Sequence, residues 1–159
     1  MDSGLELFIA ASVDYDELNS VKYEADNGRI MLETAVDEEL SDNKLEEITE
    51  AIKSALNVYC QLSNRKPRIC QVQSVKNESL CFFRLYRDVD TLSLGEIQTY
   101  IDLLQEELSV RLITGCGSWV KESDKSQIKK KLLYNMSELD SSHQYFAHRE
   151  DGRVRVFNK

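Results

Sequence analysis

One proline and six glycines in 159 residues leave no material for a proline-rich spacer or a glycine-rich linker. No apolar stretch approaches the roughly 18–20 residues that cross a bilayer, which excludes a transmembrane helix. The N-terminal "MDSGLELFIAASVDYDE" has no basic segment ahead of its short apolar run, so it does not read as a signal peptide. The expected location is cytoplasmic, and the glycosylation patterns at Asn77-Glu78-Ser79 and Asn135-Met136-Ser137 then carry no meaning. Internal repeats and low-complexity tracts are also missing.

The four cysteines, Cys60, Cys70, Cys81 and Cys116, contain no C-x-x-C pair and have irregular gaps. That is not zinc spacing, and the expectation is reduced thiols used as small apolar residues. The only two histidines, His143 and His148, are five residues apart. On a straight strand that offset puts them on opposite faces, so they do not form a metal pair. Neither glycine-rich phosphate loop is present, because Gly115-Cys116-Gly117 is followed by Val120 where a third glycine would stand. No cofactor and no metal are expected.

What is there is an ordinary globular composition, 42% apolar and 30% charged, of a size that fits one domain, with residues 119–159 set apart as a C-terminal extension. The net charge of −8 disfavours non-specific nucleic-acid binding. It is uneven: residues 121–159 hold nine basic against six acidic residues, and residues 1–120 hold eleven against twenty-two.

The periodicities predict an antiparallel sheet of hairpins with two amphipathic helices packed on it, an α+β class. Val21, Tyr23 and Ala25, then Ile30, Leu32 and Thr34, alternate with polar residues around Asp26-Asn27-Gly28. Asn-Gly is expected to supply the positive φ angles of a tight turn. A helix over 43–62 follows, with Asn43 and Glu46 as a capping box and Leu45, Ile48, Ile52, Leu56, Tyr59 and Leu62 as one stripe. "PRICQVQSV" and "SLCFFRLYRDV" form a second hairpin, the latter reading as buried on both faces. A second helix over 93–107 opens with Ser93 and Glu96 as a capping box and buries Ile97, Tyr100, Ile101, Leu104 and Leu108. A third helix in 124–138 and a hairpin of "HQYFAH" and "RVRVF" close the chain. A ferredoxin-like β-α-β-β-α-β core is the alternative, with 29–36 as its first strand and 109–114 as its last.

Three groups of residues invite a chemical reading. Gly115-Cys116-Gly117-Ser118-Trp119 is similar to the motif around the nucleophile of papain-type proteases, but Ser118 runs straight into Trp119 and the nucleophile's own position is missing. The carboxylates Asp37, Glu38, Glu39, Glu46, Glu47 and Glu50 read as solvated charge. Lys125, Lys129, Lys130 and Lys131 line one side of the third helix and form a small basic patch. None of these meets the geometric requirements of a catalytic centre, so no catalytic residue is assigned.

The leading hairpin "GRIMLETAV", the helix "KLEEITEAIKSALN", the strands "RICQVQSV" and "LCFFRLYR", and then "TLSLGEIQTYIDLLQEEL" together resemble the type III secretion chaperone-like fold. The likeness is to the bacterial sensory-transduction-regulator branch and covers residues 20–108. It implies a small acidic α/β protein, often dimeric, that binds another protein and catalyses nothing. The expected function is thus a non-catalytic protein-binding module: a chaperone, adaptor or inhibitor. One alternative is a small enzyme or ligand-sensing domain with a site near Cys116. Another is weak nucleic-acid binding through the lysine side of helix 124–138. The implied partner is another protein, with a homodimer as an open alternative and no membrane.

Overall fold

The computed structural model describes residues 3–108, 127, 129–131, 144–150 and 153–158. In chain order they form α1 (Ser3–Asp14), β1 (Leu18–Glu24), β2 (Arg29–Val36), α2 (Asp42–Leu62), β3 (Cys70–Asn77), β4 (Leu80–Asp88), α3 (Leu94–Leu108), β5 (Gln144–Glu150) and β6 (Arg153–Asn158). The strands make one antiparallel sheet in the order β3-β4-β2-β1-β5-β6. With helices packed on it, this is the α+β architecture read from the sequence. Among the described residues no helix is long and apolar enough to cross a membrane.

Period-two alternation fixes which face is covered. Ala147, Val21, Leu32, Leu85 and Val72 lie in register across five strands, and Tyr145, Tyr23, Ile30, Arg87 and Cys70 form the next row. Apart from Arg87 and the exposed Cys70 these are buried apolar residues, and they meet the helices. α1 packs on β1, α2 on β3, and α3 against α1 and α2. All five apolar residues expected on α3 are buried. The Tyr100 hydroxyl donates to the Phe83 carbonyl at 3.0 Å and sits 3.2 Å from the Thr34 hydroxyl, which satisfies a polar group in the core. On the other face charges and rings alternate. Lys22 stands over Phe146, Arg29 over Tyr86, Arg84 pairs with Glu33, and His148 stacks on Phe157.

Several local readings change. α1 went unread, because its apolar residues surround the helix instead of lining one face. Its close approach needs Gly4, where a Cβ would collide with the Tyr23 hydroxyl. The α2 cap is Ser41, whose Oγ accepts from Lys44 N at 3.2 Å, in place of Asn43. The α2 stripe ends on buried Cys60, and Leu62 lies exposed. The first hairpin closes with four residues, Gly28 N donating to Ala25 O, and only Gly28 (φ +60°) takes the left-handed conformation. β4 buries alternate residues Cys81, Phe83, Leu85 and Arg87, while Phe82, Arg84 and Tyr86 are half-buried, so it is not apolar on both faces. The ferredoxin-like alternative fails at β2: its second neighbour is β1, held there by the hairpin, and 109–114 lies outside the described residues. The C-terminal hairpin extends the same sheet, because β5 pairs with β1.

Candidate binding groove

β3 ends the sheet. Among the described residues no strand pairs with its outer edge, and its eight residues are in unbroken register with β4. Such an edge is normally blunted by proline, a bulge or charge. β3, "CQVQSVKN", has no proline, no register shift and a single charge, Lys76, near its end. The opposite edge, β6, carries Arg153 and Arg155 in its six residues.

Beside the β3 edge runs a groove of about 650 Å³ between β3 and α2. Val72, Gln73, Ser74 and Lys76 form one wall; Asp42, Leu45, Glu46, Thr49, Glu50 and Lys53 form the other. Leu45, Thr49 and Val72 are buried and make the floor. The two walls run antiparallel. Asp42, at the start of α2, bridges to Lys76 at the end of β3 (2.8 Å), and Lys53, three turns on, lies within electrostatic reach of Cys70. The ion pair holds the Asp42 carboxyl below its ordinary range and raises Lys76. Asp42, Glu46 and Glu50 follow one another at intervals of four, so they share one line along the helix.

A second cluster surrounds Arg87, the β4 partner of Cys70 at the start of β3. Arg87 is completely buried on the inner face of β4. Its Nε and Nη2 donate to the two oxygens of Glu96, itself completely buried, at 2.5 and 2.9 Å. Nη1 donates to Asp88 (2.6 Å), Thr91 and the Ile69 carbonyl. Asp88 also accepts from the backbone N–H of Arg68 and Ile69 and from the Thr91 hydroxyl. Burial alone would raise the Asp88 carboxyl, but these donors and Arg87 hold it below its ordinary range. Burial would lower Arg87, and Glu96 and Asp88 raise it instead. Every charged group is hydrogen-bonded within it, so the cluster ties the end of β4, the start of α3 and the approach to β3 together. Burial and the nearby Glu96 push the Cys60 thiol up, and desolvation pushes up Cys70, which keeps both protonated at neutral pH. Glu96 is therefore not the second half of a capping box. Ser93 Oγ does accept from Glu96 N at 3.2 Å, but the carboxylate turns into the core.

The residues singled out in the sequence do not converge. Cys116 and Lys125 lie outside the described residues, as does His143. Lys129 is bound to Asp14 of α1 at 2.7 Å, while Lys130 and Lys131 are exposed. Among the described residues no group of three or more His, Cys, Asp or Glu could hold a metal. The β3 edge and its groove were not read from the sequence; the lack of proline and charge in "CQVQSV" was the signal. Comparison with family models, with curated proteins and with solved structures finds no match to this chain.

Proposed function

We propose that this protein is a non-catalytic protein-binding module that takes an extended segment of a partner protein as an added strand on β3. The observation that carries the reading is the unguarded β3 edge lying beside a groove long enough to receive alternate side chains of that strand. Strand addition draws affinity from main-chain hydrogen bonds and specificity from pockets for every second residue. The β3 backbone supplies the first, and the floor of Leu45, Thr49 and Val72 supplies the second. The same class, covering chaperones, adaptors and inhibitors, is what the resemblance of residues 20–108 implies.

The test uses Ser74→Tyr, which fills the groove with a strand-compatible side chain. Tagged wild type and variant are used to recover partners from native lysate, and amide exchange is followed on the recovered complex. The expected result is a partner held by wild type and lost from the folded variant, with exchange slowed at residues 71–76 in the complex. A partner retained by folded Ser74→Tyr, or a complex in which those amides exchange as in the free protein, overturns the proposal.

A further inference from the structure

The groove's charge pattern specifies its occupant. Resting on the strand-addition reading, we infer that the segment bound at β3 is basic, with lysine or arginine at alternate positions facing α2. Asp42, Glu46 and Glu50 are spaced four residues apart on a helix, a rise of about 6 Å. Same-face residues of an extended strand repeat every two residues, about 6.6 Å. Because α2 and β3 run alongside each other, a strand added to β3 presents every second side chain to this line of carboxylates at nearly the same pitch.

The existing pairing leaves this line open to an incoming cation. Asp42 is held by Lys76 and Glu50 by Lys53 at 3.4 Å, both exposed pairs. Exposed pairs of this kind contribute little and exchange readily with another cation. Glu46, between them, has no cationic partner among the described residues. An acidic segment would meet three carboxylates and two lysines already paired with them; a basic one completes Glu46 and competes for the other two. The floor between them offers the apolar side chains of Leu45 and Val72 beside Thr49, so the positions that alternate in depth favour long side chains whose stems lie on Leu45 and Val72 while their charges reach the rim.

The experiment selects from a synthetic library of randomised, end-blocked octapeptides on the full chain, with wild type, Glu46→Gln/Glu50→Gln and Ser74→Tyr immobilised in parallel. Both substituted sites of the double variant are exposed, so its fold is retained, as circular dichroism will check. The expected result is enrichment of lysine and arginine at every second position on wild type. On the double variant that enrichment disappears, and individual selected peptides bind on the order of three- to tenfold more weakly. Peptides retained without a basic excess, or with an excess that the double variant keeps, overturn the inference. If Ser74→Tyr abolishes their retention, strand addition itself survives. Retention of no peptide overturns both readings. A wild-type dimer in sedimentation that Ser74→Tyr dissociates, with no peptide bound, assigns the groove to a second copy and overturns both as well.

Discussion

Arg87 shows what a single position in the alternation can carry. Cys81, Phe83, Leu85 and Arg87 share the inner face of β4, so the pattern that buries three apolar side chains also buries a guanidinium. Glu96 is placed the same way, one turn before Tyr100 on the covered side of α3. Neither placement was read from the sequence, where Glu96 stood as a capping-box partner, and nothing local links residue 87 to residue 96. A buried pair of this kind is costly to break and cheap to replace. Arg87→Met leaves the Glu96 carboxylate uncompensated and is expected to destabilise the fold by about 3–5 kcal/mol. Adding Glu96→Leu removes that orphaned charge and recovers at least about 2 kcal/mol of the loss. Urea denaturation of the two single variants and the double variant measures the coupling. Additive losses would mean that Arg87 acts through Asp88 and the Ile69 carbonyl alone.

The elements divide by how much of their cause is local. α3 and most of α2 were readable because one stripe of each is buried, and 3.6-residue periodicity is a local property. α1 was not, because it is covered on several sides by Tyr23, Tyr145 and α3, and that cover comes from distant parts of the chain. The first hairpin was readable from Gly28, but its closure depends on Glu24 as well. Burial would push the Glu24 carboxyl up, yet hydrogen bonds from Arg29, Asn27 and Lys22 hold it at about 2, against an ordinary 4.5. A carboxyl lowered on folding stabilises the fold above its unfolded value, and the contribution is lost as pH falls from 4.5 toward 2. Because Lys22 and Arg29 are about a third exposed, screening reduces this to roughly 1–2 kcal/mol. Glu24→Gln is expected to lower the unfolding free energy from urea denaturation by that amount at neutral pH and by little once the pH is below 2. An equal loss at both would assign the effect to packing rather than charge.

Across the whole molecule, the two ends of the sheet have different tasks. At the β3 end no strand among the described residues covers the edge and the neighbouring helix is acidic, the arrangement on which partner binding is proposed. At the other end the β5–β6 hairpin continues the sheet beyond β1, and Tyr145 joins Tyr23 and Phe8 in a ring cluster with centroids 5.9 to 6.3 Å apart. From the sequence this hairpin fell within a C-terminal extension over 119–159, because 35 residues separate β5 from α3 and the pairing of β5 with β1 is what reveals the connection. If the hairpin were an appendage, removing its ring would leave the body's stability unchanged. With the ring 2% exposed in the shared core, Tyr145→Ala should cost about 3–4 kcal/mol and lower the melting temperature by roughly 5–15 °C. Differential scanning calorimetry should show that loss in one cooperative transition for the whole chain. A second, early transition that leaves the main one in place would instead make the hairpin a separately melting unit, and the α1–β1 corner would then stand without it.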